Sequence, residues 1–326
     1  MTHRQHPLGS PFGPASTVDD VLRGVDLRGK SVVITGGHAG LGLETTRGLA
    51  RAGASVTVAA RDPERAAAAV AGLERVEVSA LDLVDPASID AFAARWLASG
   101  RPLHGLVNNA AARASKDVTR DARGYELQFS TSHLGHFQLT LRLVPALRAA
   151  NGARVVNVSS GAHRFGVIRW TDPNFASEYQ SSAAYAQAKK ANVLFAVELD
   201  ARLSSDKIRG YALHPGVVVG TSLNSSAGPE ALRAMGLVDE RGAPIIDPAR
   251  GKKTPAQGAS TIVFAATSPL LAEIGGVYLK DNDVAPLDDE ARPLTADCIP
   301  ADASSSSIDP DAAARLWELS ERLIRG

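Results

Sequence analysis

Short β-branched runs alternate with longer Ala/Leu-rich segments from residue 31 to residue 280, and this rhythm narrows the fold more than any single motif. "SVVIT" (31–35) precedes a helical pattern over 40–51, and "SVTVAA" (55–60) precedes a helix that Asp62 can cap with Pro63 at its first position. "VEVSA" (76–80) precedes a helix over about 86–98, and "GLVNN" (105–109) a long helical stretch over about 121–149. "ARVVNVS" (153–159) leads through a loop to a helix over about 182–203, "RGYAL" (209–213) to a helix near 255–267, and "GVYLK" (276–280) closes the series. The strands are continuous apolar runs, as strands covered on both faces must be. The pattern predicts an α/β chain: one Rossmann-type doubly wound parallel sheet of about seven strands with helices on both faces.

The segments outside the rhythm set the expected organisation. Residues 1–25, rich in Pro, Gly and Ser, read as a flexible or surface-draped arm ahead of a single domain over 26–326. Residues 221–257 interrupt the rhythm and read as a lid or pocket wall. Near the end, Asp309, Pro310 and the stripe Leu316, Leu319 and Leu323 predict a docked amphipathic helix over about 310–325.

Charge and cysteine content exclude several functions. Lys plus Arg equal Asp plus Glu, 35 against 35, so no basic excess points to nucleic acid. The single cysteine, Cys298, excludes an intrachain disulfide and a cysteine metal cage. No run reaches the roughly 18 apolar residues of a membrane span, and the N-terminus lacks a secretory pattern. A cytoplasmic setting is expected.

"VVITGGHAGLGLE" places Gly36, Gly40 and Gly42 directly after the first strand. Glycines there permit a tight turn and close approach to a pyrophosphate, and the following helix aims its N–H groups at that charge. At the end of the second strand stands Arg61, where an acidic residue would select the 2′-hydroxyl of NAD(H). A guanidinium suits a 2′-phosphate, so NADP(H) is favoured over NAD(H). A surface pair between Arg61 and Asp62 is the competing reading. His38, in the turn, is a second candidate for the phosphate. Further on, Tyr185 and Lys189 of "YAQAK" fall at i and i+4 on one helix face, after Ser159 and Ser160. A tyrosine serves as a general acid once a neighbouring ammonium lowers its pKa, and a serine hydroxyl can hold a carbonyl oxygen beside it.

These motifs, with Asp82 of "LDL", "NNAA" (108–111), "VNVSS" and "HPG" (214–216), stand in the order of the short-chain dehydrogenase/reductase family, which the chain resembles. "GYELQFSTSHLGHFQLT" and "KKANVLFAVEL" resemble the branch holding retinol dehydrogenases, the WW-domain oxidoreductase and protochlorophyllide reductase. The resemblance implies that Asp82 bonds the adenine amino group and that Leu41, Leu83, Asn109, Ala110 and Val218 line the cofactor. It implies that Ser160, rather than Ser159, orients the substrate, that Tyr185 is the acid/base, and that Lys189 holds the ribose. Pro215 and Gly216 would form the turn under the nicotinamide, with Thr221 on its carboxamide. Ala111 departs from the usual glycine. Ser132 stands where the family has an asparagine that kinks its helix and holds a relay water to the lysine.

The expected function is NADP(H)-dependent hydride transfer to or from a carbonyl or alcohol of a lipophilic small molecule. Phe165, Val167, Ile168, Trp170, Phe175, Tyr179, Met235, Leu237, Ile245 and Ile246 could wall its pocket. A silent NADP(H)-binding regulator and a C=C reductase remain as rivals. A metal site at His133 and His136 is disfavoured, because no carboxylate or cysteine stands near them. The family often assembles through its central helices, so a homo-oligomer is an open option.

Overall fold

Alternation of side chains across the strands builds two cores. Val32, Ile34, Val56 and Val58 face one side of the sheet, while Val33, Leu106 and Val155 face the other. The computed structural model describes residues 5–219, 228–296 and 298–325. Its sheet has eight strands in the order β3-β2-β1-β4-β5-β6-β7-β8. They are β1 (Ser31–Thr35), β2 (Ser55–Ala60), β3 (Val76–Ala80), β4 (Gly105–Asn108), β5 (Ala153–Val158), β6 (Ile208–His214), β7 (Val277–Lys280) and β8 (Asp283–Val284). The first seven are parallel. The eighth is a two-residue antiparallel strand that a count of about seven did not include, formed where Asp281 and Asn282 turn the chain with positive φ.

The short helix α1 (Val18–Val21), α2 (Gly40–Arg51), α3 (Pro63–Ala69) and, later in the chain, α9 (Pro255–Thr267) cover one face. The other carries α4 (Pro86–Ala98), the turn α5 (Leu127–Phe129), α6 (Gly135–Ala149), α7 (Ser181–Leu203) and, at the chain's end, α10 (Pro310–Arg325). The short α8 (Pro229–Ala234) belongs to the insert after β6. Chain order reverses between β1 and β4. Their carboxyl ends therefore flank a crevice, the usual ligand site of such sheets.

Three departures from the expected elements have local causes. The long helix starts at Leu127, not near 121, because the Asp121 carboxylate accepts from the Arg123 and Tyr125 N–H groups and from the Ser130 hydroxyl, holding a turn instead. Between α5 and α6 lies one π-helical turn, Ser130–Leu134. From residue 5 onward the N-terminal arm, expected to be flexible or surface-draped, is pinned to the body. The Gln5 amide donates to the Tyr278 and Ala285 carbonyls at 2.8 and 2.6 Å and accepts from Tyr278 N–H. The N–H groups of Leu8, Gly9 and Ser10 converge on the Asp283 carboxylate.

The C-terminal helix α10 lies along α7. Trp317 packs edge-on against Phe137 at 4.9 Å and beside Phe195 at 5.9 Å, with the Arg202 guanidinium over its ring. Almost every residue of α7 from Ala184 to Asp200 is consequently buried.

Candidate active site

The glycine turn is closed by its own geometry. Gly36 and Gly40 have φ of +66° and +52°, in the left-handed region that favours glycine. A Cβ on Gly42 would collide with the Gly36 carbonyl oxygen, so the helix can follow the strand this closely only with glycine there. No side chain caps the N-terminus of α2, whose first N–H groups stay available to an anion. The turn and helix thus fit a dinucleotide pyrophosphate.

Around the turn, Thr35 acts as the junction. Its hydroxyl oxygen accepts from the Asn109 and Ala110 N–H groups at 2.9 and 3.0 Å, and the Asn109 amide donates to its carbonyl. This locks the end of β1 to the segment after β4. Leu41 is half-buried and packs beside α9, Leu83 is buried, and the Asp82 carboxylate accepts from Val84 N–H. Gly216 has φ +87° and abuts the Lys253 stem; buried Pro215 and Val218 flank it. Thr221 lies outside the described residues.

Arg61 is exposed at the end of β2. Neighbouring Asp62 instead caps α3, accepting from Arg65 N–H at 3.0 Å. His38 is half-buried. Burial and the Arg65 charge press its pKa down, against an opposing pull from Asp62. Arg65, which sequence reasoning passed over, therefore joins His38 and Arg61 on this flank.

Ser160, Tyr185 and Lys189 meet at the carboxyl end of β5. The Ser159 hydroxyl is spent on the Lys189 carbonyl at 2.7 Å, which ties β5 to α7. Ser160 is half-buried, and its hydroxyl oxygen accepts from Ala162 N–H at 3.3 Å. Burial raises the phenol's pKa above its ordinary 10, and the nearby Ser160 hydroxyl opposes that rise. The expected lowering by Lys189 is not present. Its ammonium stands 5.6 Å from the centre of the Tyr185 ring and donates to the Val158 carbonyl at 3.1 Å. Burial brings Lys189 itself down to about 8. Asn192, one turn on, donates to the same carbonyl.

The two helix histidines have separate packing roles. Ser320 gives its proton to the Leu316 carbonyl, so its oxygen accepts from His133 Nε2 at 2.8 Å. His133 thus faces α10, within van der Waals reach of Phe129, Phe137 and Phe195. His136 Nδ1 donates to the Ser132 carbonyl at 3.1 Å, and its Nε2 receives the Thr35 hydroxyl at 2.8 Å. Among the described residues no group of three or more His, Cys, Asp or Glu could hold a metal ion. Nor is any described helix long and apolar enough to cross a membrane.

The expected pocket wall divides. Ile168 and Phe175 are buried, and Trp170 carries the Arg315 guanidinium at 4.2 Å, so these three fasten the loop to the body. Leu237 is buried as well. Phe165, Val167, Met235 and Ile246 are exposed.

A closed glycine turn at the β1/β4 crevice, with a serine, tyrosine and lysine set on β5 and α7, defines a dehydrogenase-type nucleotide site. The model of the short chain dehydrogenase family matches residues 30–231, and the chain belongs to that family. It is 44% identical over 301 residues to a Streptomyces lividans protein named "Probable oxidoreductase", covering 90% of this chain and 97% of the relative. It is 36% identical over 306 residues to mouse retinol dehydrogenase 12, covering 92% and 88%. A crystal structure of a Mycobacterium paratuberculosis protein superposes with TM-score 0.70 at 32% identity, over 95% of this chain and 98% of that one. The chain is accordingly an oxidoreductase of the short-chain dehydrogenase type.

Proposed function

We propose that this protein is an NADP(H)-dependent oxidoreductase acting on a carbonyl or alcohol of a lipophilic small molecule. The observation that carries this reading is the meeting of Ser160, Tyr185 and Lys189 beside the glycine turn. NADP(H) supplies or accepts the hydride when bound. Tyr185 gives a proton to the substrate oxygen, or removes it in the reverse direction, while Ser160 holds that oxygen against the phenol. Lys189 holds the nicotinamide ribose. With an oxidised cofactor held there, Tyr185 would gain a positive field that the protein alone does not give it. Preference for the 2′-phosphate rests on Arg61, supported by His38 and Arg65 along the same edge. Asp82 would contact the adenine.

Ser132 is buried and its carbonyl accepts from His136 Nδ1. Its hydroxyl would hold the relay water on the way to Lys189. Exposed Phe165, Val167, Met235 and Ile246 favour an apolar substrate. The chain works as one catalytic unit over 26–326 in the cytoplasm.

Replacing Tyr185 with Phe tests the reading. Reduction of medium-chain aldehydes and aryl ketones by NADPH should fall at least 100-fold, with NADPH affinity retained. Wild-type turnover in that variant would overturn the assignment.

A further inference from the structure

Ser160 must present its hydroxyl to Tyr185, yet it sits where a strand gives way to a loop. Two buried histidines hold the peptide unit that follows it. His163 Nδ1 lies 2.7 Å from the Ser160 carbonyl oxygen. A carbonyl can only accept, so that nitrogen carries the proton. Gly161 N–H, the other end of the same peptide group, donates to His214 Nδ1 at 3.1 Å. An N–H can only donate, so His214 carries its proton on Nε2. The two tautomers are opposite, and both follow from one peptide plane.

The rings are set firmly. His163 and His214 are both buried, and His163 packs on the Tyr278 ring at 4.4 Å. Tyr278 is fixed in turn by Gln5 through its backbone. Gly161 is pressed against Pro300 and Ala301, leaving no space for a side chain that would let the plane swing. His214 Nε2 and His163 Nε2 are buried without a partner among the described residues, one a proton donor and the other an acceptor.

We infer that His163 and His214 are positioning residues for Ser160, gripping the Ser160–Gly161 peptide by its two ends and so fixing where the serine hydroxyl points. Both rings stay neutral in ordinary buffers. Burial, with Arg164 and Lys190 near His163, and with Lys253 and Lys280 near His214, brings them down to about 4 and about 3. The Ser160 carbonyl pulls His163 the other way. Neutral rings are what the grip needs, since a protonated His214 would point Nδ1–H at Gly161 N–H.

This inference rests on the proposed role of Ser160, and the test separates the two. His163→Asn keeps a donor near the Nδ1 position, whereas His163→Leu keeps the shape and loses the donor. His214→Asn and His214→Leu make the same comparison for the acceptor, so the test survives if one site does not tolerate Leu. Turnover is measured with NADPH on those aldehydes and aryl ketones that the wild type reduces, alongside NADPH affinity by fluorescence. The Leu variants should lose about tenfold or more in kcat with NADPH affinity unchanged, and the Asn variants should recover most of it. In a Ser160→Ala background the Leu substitutions should cost almost nothing more, because the residue they position is gone. Full additivity in that background, or Asn variants no better than Leu, overturns the inference while Ser160 stands. Undiminished turnover in Ser160→Ala alone overturns the reading of Ser160, and the inference with it.

Discussion

The Lys189 ammonium stands over the Tyr185 ring, 5.6 Å from its centre, and spends one proton on the Val158 carbonyl rather than on the phenol oxygen. Lysine and tyrosine share a helix face, but the charge reaches the ring and not the acid. Without cofactor, the site therefore holds a buried ammonium close to a phenol whose pKa is raised.

That arrangement costs stability. Lys189 falls from 10.5 to about 8 on burial, so between those values the unfolded chain binds more protons than the folded one. Stability contributed by this group rises with pH across that window, and the full burial cost is present below it. Lys189→Met should therefore raise the Tm of the cofactor-free protein at pH 7, with the gain fading towards pH 10.5. The same variant should lose NADPH affinity and turnover. Calorimetry across pH, paired with NADPH titration, reads both signs.

Arg61→Ala should weaken NADPH binding about tenfold and leave NADH binding within twofold, as expected for loss of one charge-assisted phosphate contact. Equal loss for both cofactors would place Arg61 in folding rather than in selection. Asp62, committed to the cap of α3, offers no ion pair to hold the guanidinium back.

Ser132→Ala should slow turnover about tenfold with NADPH affinity unchanged, and a larger solvent isotope effect should accompany the loss. Unaltered turnover would mean that the carbonyl of the π-helical turn, shared with His136, carries the relay by itself.

Much of this site is legible in the chain because it depends on short-range chemistry. The glycines after β1, the cap at Asp62 and the one-turn spacing of Tyr185 and Lys189 are all fixed by neighbours in sequence. Other features depend on partners hundreds of residues away. The arm looks mobile until Gln5 meets Tyr278, and the "HPG" stretch reads as a turn until His214 meets Gly161. His163 stands in plain view in "GAHRF", but its role becomes readable only once the Ser160 carbonyl is seen to face it. Thr35 was likewise hidden, being named only as the last letter of a strand. The clue available was polarity: a hydroxyl ending an apolar run needs partners, and here it has Asn109, Ala110 and His136.

Trp317→Ala should destabilise the protein by about 3–5 kcal/mol, the usual cost of emptying a buried aromatic site. Chemical denaturation would show the midpoint falling with the slope unchanged. A change below about 1 kcal/mol would mean that α10 rests on the surface without sealing it.

The covering of α7 by α10 also orders events in time. Residues 310–325 leave the ribosome after every strand of the sheet, yet they complete the burial of the helix that carries Tyr185 and Lys189. Until then Phe137, Phe195 and His133 present an open aromatic face to any neighbouring chain. The helix that carries Tyr185 and Lys189 is thus sealed by a segment that follows every strand of the sheet in the chain.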